Sequence, residues 1–566
     1  MRIPGLPEGT GTLLELDLTR GLAESPPSTP LQAIRERGTP GLRATVEALH
    51  AGAEDDGVLG LVAHIGQENL SLAVAGELRT AVSAFRTSGK PAVCWTETFG
   101  EMGGGNVSYH LAAAFGEIWL QPSGDVGLTG MTAEAVFVRG ALDKLGIESQ
   151  IGQRHEYKSA ADTFLRSTMT DPHREMATRL AESGTEIVLA AVAEGRGMTV
   201  EAVRALMDDG PLPAARALSA GLVDRIGYRA DVMAALREQL GEDVSLQYAE
   251  RHGKGLAGML RSGGSSLVAL PGRGSKPVVA VIHAAGPISL GRSTASPFAS
   301  GPRIGSDTVG AALRAAGDDE DIKAVVLRVD SPGGSYVASD AIRREVLALR
   351  ATGRPVVASM GSVAASGGYY IAMPADEVLA SPGTITGSIG VLAGKQVLTE
   401  ALGKIGVTRE SVSTGRYAEM FSSQRPFTDE EWQRLDTWLD RVYEDFTAKA
   451  AEDRGMDVER LRAAAKGRVW TGADALEQGL VDRMGGLQDA IGVACRRAGY
   501  EREDVTVQTM PKLSLLQQLT PAESSEHPAA ASASMGLPSG ALDVLLQALG
   551  LPPGGVLSMP VAWHLR

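Results

Sequence analysis

One serine in this 566-residue chain has neighbours suited to nucleophilic chemistry. Ser366 lies in GSVAASGGYY (361–370), where it follows the apolar run PVVASM and a short GSVAA turn and begins a helical stretch. The unpaired N–H groups at a helix start favour negative charge, so the position suits a nucleophile beside an oxyanion hole. The alternative interpretation is that these small residues only let a helix pack closely on a sheet.

A second loop could supply more hydrogen-bond donors. The motif DSPGGS (330–335) follows the apolar run AVVLRVD, and Pro332 fixes its turn. Gly333 and Gly334, with Gly367 beside the serine, can direct backbone N–H groups into a cleft. Each loop ends a predicted parallel strand, which is where α/β sheets place ligand sites. Packing explains either loop alone, but the two together indicate a pocket.

The proton acceptor for this serine is not a nearby histidine. The closest histidines in the sequence are His283 and His527, so the second half offers no serine–histidine–aspartate triad between them. A lysine can take the proton instead if burial lowers its pKa.

The chain contains an internal repeat. GLVDRIG (221–227) recurs as GLVDRMG (479–485), while PSGDVGLTG and LDKLGI recur 260 residues later as PGTITGSIG and LGKIGV. One domain has therefore been duplicated and has diverged. We predict two domains, a Gly/Ser-rich basic linker and a tail that contains a Pro/Ala/Ser-rich loop (521–540), with the bounds 1–250, 278–510, 251–277 and 511–566, respectively.

The repeat also identifies a candidate base. Position 366 corresponds to Asn106 in the first copy, and Ala418 of the second copy corresponds to Lys158. Each copy keeps one of the two candidate residues, and the other copy has a different residue at the corresponding position. We therefore expect one active site built from Ser366 and Lys158. His155 is the rival base.

The hydroxyl of Thr386 or Ser388, in the motif TGSIG, could hold the lysine amine in place. The alternative is that TGSIG is only a tight turn.

The elements that must position these residues alternate between strands and helices. Short β-branched runs bounded by Gly, Pro or Asp predict buried strands, and longer amphipathic runs predict helices. The pattern indicates an α/β fold with parallel βαβ units in each half. The predicted strands are 12–18, 60–66 and 91–97 in the first half and 278–286, 324–330 and 355–360 in the second. The longest predicted helices are 173–197 and 428–455.

Composition excludes several classes of partner. A net charge of −14 argues against nucleic acid and against an anionic membrane as the main partner. Cys94 and Cys495 fit no metal-binding spacing and read as small buried hydrophobes, and no metal or nucleotide cofactor is expected. The sequence shows neither a signal-peptide pattern nor an apolar run of membrane-spanning length, so we expect a cytoplasmic or peripheral location. The apolar stretch near the C-terminus predicts a surface-packed helix or a peripheral membrane contact.

Four motifs together resemble peptidase family S49, the signal peptide peptidase A or protease IV family. They are SPGGS, SVAASGGYYIA, SPGTITGSIGV and, in the first half, EYKSAADTF, and the resemblance spans roughly residues 10–510. It implies a tandem ClpP/crotonase-like fold and a Ser-Lys dyad of Ser366 and Lys158. It also implies oxyanion donors among Gly333, Gly334 and Gly367.

The same resemblance implies a homotetramer that hydrolyses peptides, such as signal-peptide remnants, in an apolar groove. Long members of the family usually begin with a membrane anchor, and none is visible here. The first half has no SPGG motif, so a second active site is not expected there. Two alternatives remain at this stage, namely a crotonase-like acyl-CoA enzyme and an inactive scaffold, and the survival of both dyad candidates weakens the second.

Overall fold

The computed structural model describes residues 11–26, 38–66, 70–101, 103–253, 276–295, 302–510 and 557–558. The predicted linker and the predicted loop at 521–540 lie largely or wholly outside these ranges, and the predicted domain bounds stay a prediction. Within the described residues, no helix combines the length and the apolar character needed to cross a membrane.

The first half is built on a parallel sheet. Its strands are β1 (Thr12–Asp17), β2 (Val58–His64), β3 (Ala92–Thr96), β4 (Glu117–Leu120), β5 (Asp125–Val126), β6 (Glu148–Gln153), β7 (Leu212–Pro213), β8 (Arg225–Ile226) and β9 (Ser245–Tyr248). Six of them form one sheet in the order β8-β4-β3-β2-β1-β9, and every neighbouring pair is parallel. The strands read as continuous apolar runs because helices cover both faces of such a sheet.

The helices of the first half connect these strands. They are α1 (Leu42–Glu54), α2 (Leu72–Arg86), α3 (Asn106–Ala112), α4 (Arg139–Leu145), α5 (Asp162–Leu165), α6 (Asp171–Arg196), α7 (Val200–Asp208), α8 (Ala214–Ser219) and α9 (Arg229–Leu240). The long helix α6 begins because the Thr170 side chain accepts a hydrogen bond from the His173 N–H, and it ends at Gly197, whose φ is 63°.

The second half repeats this plan on a sheet in the order β20-β18-β16-β14-β10-β22, with β17 and β21 attached beside β16. Its pairs are parallel except β18 with β20. The strands of this half are β10 (Val278–Ala285), β11 (Ile288–Ser289), β12 (Thr294–Ala295), β13 (Pro302–Gly305), β14 (Ile322–Ser331), β15 (Gly333–Gly334), β16 (Val356–Ala365), β17 (Glu377–Ala380), β18 (Ile385–Gly387), β19 (Leu392–Val397), β20 (Val469–Thr471), β21 (Arg483–Met484), β22 (Thr506–Met510) and β23 (Leu557–Ser558).

The helices of the second half cover this sheet as those of the first half cover theirs. They are α10 (Ser306–Asp318), α11 (Tyr336–Ala351), α12 (Gly367–Ala372), α13 (Thr399–Lys404), α14 (Asp429–Arg454), α15 (Val458–Ala464), α16 (Gly472–Glu477) and α17 (Leu487–Arg497). The helix α14 begins at a Thr428 capping box and ends at Gly455, whose φ is 59°. It is the counterpart of α6.

The architecture confirms the predicted α/β class and the duplication into two domains of parallel βαβ units. The predicted strands and the two long helices are present with bounds that differ by two residues at most, except that β16 continues to Ala365. Cys94 and Cys495 are buried free thiols, as expected.

One local prediction was wrong. The stretch GSVAA (361–365) is not a turn but the second half of β16. The strand continues because it changes partners: Val357–Ser359 pair with β17, and Val363–Ala365 pair with β18. As a result, Ser366 follows the end of a ten-residue strand directly.

Many contacts join the halves, among them a pair of strands and a buried ion pair. The strand β6 of the first half pairs antiparallel with β19 of the second over six residues. Elsewhere, the buried Arg328 of β14 donates to Glu77 of α2 at 2.6 Å and to Ser359 of β16 at 2.9 Å. Because Arg328 and Glu77 are both buried, removing either partner would leave an uncompensated charge in the interior. Lys158 and Ser366 thus lie on two halves that are held together by strand pairing and by a buried ion pair.

Candidate active site

Ser366 lies where β16 passes into the short helix α12. Its N–H donates to the Gly387 carbonyl at 2.8 Å, which continues the pairing of β16 with β18. Its φ of 56° is in the region that favours glycine, and such a residue stores roughly 1–3 kcal/mol of strain. The strained turn fixes the direction of the hydroxyl group.

Lys158 comes from the loop that follows β6 in the first half. Its side chain has no exposed surface, although lysine is among the least often buried residues. Two glycines of the second half make room for it. A Cβ on Gly467 would lie 2.6 Å from the Lys158 Cβ, and a Cβ on Gly390 would lie 3.1 Å from its Cδ. Larger residues at either position would displace the lysine.

The lysine amine meets the serine hydroxyl. Lys158 Nζ donates to Ser366 Oγ at 2.9 Å, to Ser388 Oγ at 3.0 Å and to the Ser388 carbonyl at 3.1 Å. Ser388 follows β18 just as Ser366 follows β16, so the parallel pairing of these strands brings both hydroxyls to one edge. The three groups form a hydrogen-bonded cluster across the two halves.

Burial lowers the pKa of Lys158 from 10.5 to about 7. The amine contacts only neutral oxygens, and removal from water disfavours its charged form. A substantial fraction of the amine is therefore unprotonated at neutral pH. An unprotonated amine at hydrogen-bond distance can accept the proton of a hydroxyl group.

The other two candidate groups lie elsewhere. Thr386 Oγ1 donates to the Ala364 carbonyl at 2.7 Å, so Ser388 rather than Thr386 contacts the amine. The ring of His155 lies against Tyr443, tilted by 52° with centroids 4.2 Å apart, and its side chain is 41% exposed. Of the proposed bases, it is Lys158 that the structure brings to Ser366.

The SPGG loop lies directly against the serine. A Cβ on Gly367 would be 3.1 Å from both the Gly333 Cα and the Gly334 nitrogen. Gly333 and Gly334 have φ values of 102° and 156°, which L-residues rarely adopt. The Gly333 N–H donates to Ser331 Oγ at 3.2 Å, whereas Gly367, as the first residue of α12, has no intrahelical acceptor.

The edge of this loop carries an extended segment of the same chain. Leu557–Ser558 pair antiparallel with Gly333–Gly334 as strand β23 of a small five-stranded sheet. An extended backbone can therefore add to the loop beside Ser366. No motif in the sequence indicated this contact.

The corresponding positions of the two copies have different roles. Asn106, the counterpart of Ser366, is buried; its Oδ1 accepts from the N–H groups of Thr129 and Gly130, each at 3.0 Å. Ala418, the counterpart of Lys158, is exposed. This pair has no group that could act as a nucleophile or a base.

A buried contact between an aspartate and a histidine braces the lysine loop, and the sequence did not identify it. The Asp162 Oδ2 lies 3.3 Å from His173 Nδ1, and both side chains are almost fully buried. The pair connects the residues after Lys158 to the start of α6. A lone aspartate and a lone histidine eleven residues apart carry no recognisable spacing, so only the structure could reveal it.

Within the described residues, no group of three or more His, Cys, Asp or Glu side chains is arranged to hold a metal ion.

Comparison with known proteins places these residues in one family. The model of peptidase family S49 matches residues 84–243 and 348–501. The chloroplastic serine protease SPPA of Arabidopsis thaliana is 33% identical over 447 residues, which cover 79% of this chain and 64% of that protein. Protease 4 of Salmonella typhi is 33% identical over 468 residues, which cover 80% of this chain and 71% of that protein.

Among solved structures, the chain is similar to a mutant of the 1510-N membrane-bound stomatin-specific protease. The TM-score is 0.26 at 15% identity, and the match covers 42% of this chain and all of that one. A TM-score this low carries no conclusion about the present chain.

Proposed function

The chain belongs to peptidase family S49 and is by that membership a serine peptidase; on this premise we propose that it cleaves peptides with a Ser-Lys dyad of Ser366 and Lys158. The observation that carries the proposal is the 2.9 Å hydrogen bond between Lys158 Nζ and Ser366 Oγ in a fully buried setting. A pKa of about 7 makes the amine a competent base near neutral pH.

In the first step, Ser366 Oγ attacks the carbonyl carbon of the scissile bond while its proton passes to Lys158 Nζ. The ammonium then gives that proton to the leaving nitrogen, the C–N bond breaks and an acyl-enzyme remains. In the second step, the neutral amine takes a proton from water, the resulting hydroxide attacks the ester, and the proton returns to Ser366 Oγ. Ser388 holds the amine in line for both transfers.

The negative charge that develops on the substrate oxygen needs donors. We assign this role to the backbone N–H groups of Gly367 and Gly334, which lie beside the serine. The N–H of Gly333 already has an acceptor in Ser331 Oγ, so in this proposal Gly333 contributes the shape of the loop rather than a hydrogen bond.

We further propose that the substrates are extended peptides, among them remnants of signal peptides. The pairing of Leu557–Ser558 with Gly333–Gly334 supports an extended binding mode, because backbone hydrogen bonds at a strand edge recognise peptides of varied sequence. The resemblance to signal peptide peptidases supports the substrate class.

The test combines labelling with digestion. A serine-directed phosphonate should label the wild-type protein and leave Ser366→Ala unlabelled, while Ser219→Ala, a change of a surface serine on α8, should label normally. In parallel, a peptide library should be cleaved by the wild type and left intact by Ser366→Ala and Lys158→Ala. Labelling of Ser366→Ala at the wild-type level, or near-normal turnover by Lys158→Ala, would refute the dyad. A crotonase-like enzyme would show neither labelling nor cleavage.

A further inference from the structure

An arginine of the second half lies against the loop that carries Lys158. Arg468 lies between α15 and β20, and its guanidinium carbon is 4.9 Å from the ring centroid of Tyr157 and 4.5 Å from that of Trp470. Its Nη1 donates to Glu175 Oε1 at 2.7 Å, and the Tyr157 hydroxyl donates to Glu175 Oε2 at 2.9 Å. These four side chains form a closed cluster to which each half contributes two.

The backbone of the same segment contacts the surroundings of the lysine amine. The Arg468 carbonyl accepts a hydrogen bond from the Ser388 N–H at 2.7 Å. The preceding residue, Gly467, lies so close to Lys158 that a Cβ there would be 2.6 Å from the lysine backbone nitrogen. The segment therefore touches the lysine on one side and, on the other, the serine that holds the amine.

Tyr157 connects this cluster to the lysine because it is the preceding residue. Its N–H donates to the Lys466 carbonyl at 3.2 Å, and its ring packs on a small apolar cluster between the halves. The buried members of that apolar cluster are Met176, Ala177, Leu180, Ala365, Ile385 and Val469. Since Ala365 directly precedes Ser366, the ring is fixed relative to the nucleophile, and the direction in which the next residue leaves the loop is fixed with it.

The four side chains also lie at the boundary between solvent and the buried amine. Lys158 has no exposed surface, whereas the side chain of Arg468 is 17% exposed and that of Glu175 is 57% exposed. Tyr157, which lies between them and the lysine in the chain of contacts, is partly buried. A displaced Tyr157 ring would therefore let water approach the amine from this side.

An ion pair between the halves could instead serve stability alone, and Arg179 of α6 provides the comparison. It pairs with Asp474 of α16 at 2.8 Å across the same boundary, and its side chain is 35% exposed. Its ionic partners among the described residues are Asp474, Glu182 and Glu186. Partly exposed ion pairs contribute little to stability, so stability gives no reason for the stacking at Arg468. That stacking needs a planar cation, which lysine does not supply.

We propose that Arg468 is a positioning residue for the dyad. Through its contacts with Tyr157 and Ser388, it holds the amine of the base in line with the nucleophile and keeps water away from that amine. This role rests on the proposed Ser-Lys mechanism, because an arginine can position a base only where that base acts. The charged and titratable groups that face the loop of Lys158 are His155, Glu156, Glu175, Tyr443, Lys466 and Arg468.

Replacing Arg468 with alanine should free the ring of Tyr157 and admit water to the amine. Because burial is what lowers the pKa of Lys158, this pKa should rise toward its ordinary value of 10.5. The midpoint of kcat/KM against pH should move up by about one pH unit, and kcat at pH 7 should fall about fivefold or more. KM should change by less than about twofold, because the proposed peptide-binding edge at Gly333–Gly334 belongs to a different loop.

Glu175→Ala tests the same contact from the first half, and it replaces an exposed residue of α6 with a strong helix former. The change frees both the Tyr157 hydroxyl and the guanidinium group, so the midpoint should again move up. A purely electrostatic effect would move it down, because the change removes a negative charge from the neighbourhood of an ammonium group. The direction of the shift therefore separates positioning from charge.

Arg179→Ala is the matched control, because it breaks an ion pair between the halves at a similar distance without touching the loop of Lys158. Its pH profile should equal that of the wild type. Arg468→Lys should have a midpoint between those of the wild type and Arg468→Ala, since a lysine keeps the positive charge and loses the stacking. An unchanged midpoint for Arg468→Ala and Glu175→Ala, a downward shift for Glu175→Ala, or an equal shift for Arg179→Ala would overturn the proposal.

Failure of this role and failure of the dyad give different results. If Lys158→Ala retains near-normal turnover, the Ser-Lys mechanism fails and the positioning role fails with it. If Lys158→Ala is inactive while Arg468→Ala and Glu175→Ala keep the wild-type profile, the dyad stands and the role of Arg468 is refuted.

Discussion

Replacing Lys158 with methionine should remove the activity and at the same time stabilise the fold. The structure buries this amine completely and gives it no carboxylate partner among the described residues, so the folded state bears the cost of keeping an ionisable group out of water. Methionine has a similar length and no charge, so it fits the channel beside Gly467 and Gly390 without that cost.

The magnitude follows from the pKa of Lys158, which is 10.5 for an ordinary lysine and about 7 in the fold. Between these values the unfolded chain binds a proton that the folded chain does not, so the stability of the wild type rises with pH in that range. The cost of the buried amine is about 4 kcal/mol at pH 7 and about 1 kcal/mol at pH 9.5. Losing the amine's hydrogen bonds offsets roughly 1 kcal/mol or more of the gain.

Urea unfolding of both proteins at pH 7 and pH 9.5 measures this difference, and hydrolysis of a peptide substrate measures the activity. The control is Lys404→Met, because that lysine is exposed on α13 and its loss should leave both the stability difference and the turnover unchanged. The reasoning fails if the advantage of Lys158→Met over the wild type does not shrink between pH 7 and pH 9.5, or if the variant still hydrolyses peptide at a near-normal rate.

Three further predictions concern the same site. The kcat/KM of the wild type should rise about tenfold from pH 6 to pH 8 and then level off, since the Lys158 amine must be neutral; a lysine of ordinary pKa would give a rise of about a hundredfold with no plateau. Ser388→Ala should move the midpoint of this profile to lower pH and reduce its plateau, because the ammonium loses one acceptor and the amine its orientation; an unchanged profile would contradict that role. Gly367→Ala should abolish hydrolysis while the protein stays folded, because the new Cβ would lie 2.7 Å from Ser339 Oγ and 3.1 Å from the Gly334 nitrogen; normal kinetics for this variant would exclude Gly367 and Gly334 as oxyanion donors.

Most of the fold could be predicted from the sequence because each signal was local. The buried strands read as continuous β-branched runs, and the amphipathic pattern at 428–455 predicts α14, which the structure shows between a Thr428 cap and Gly455. The exception is GSVAA, whose small residues predict a turn. It remains a strand because β18 replaces β17 as the hydrogen-bonding partner of β16. Both partner strands lie outside GSVAA, so its own residues do not indicate the change.

The candidate site could be predicted in part. The comparison of the two repeats paired Ser366 with Lys158 by elimination. It gave no information on the distance between their side chains. It could not choose between Thr386 and Ser388, since two hydroxyls two residues apart differ only in which one follows the strand end. The sequence also could not predict the hydrogen bond from the Gly333 N–H to Ser331 Oγ or the backbone strain at Ser366.

The sequence by itself determined the types of the candidate groups, their division between the two copies and the α/β class, because these depend on residue identity and periodicity. The tertiary structure decided which groups meet and how reactive they are. The 2.9 Å contact between Lys158 and Ser366 and the lowered pKa of the amine arise where loops from both halves exclude water around one side chain. Solvent exclusion is a property of atoms gathered from distant parts of the chain, so no stretch of sequence contains it.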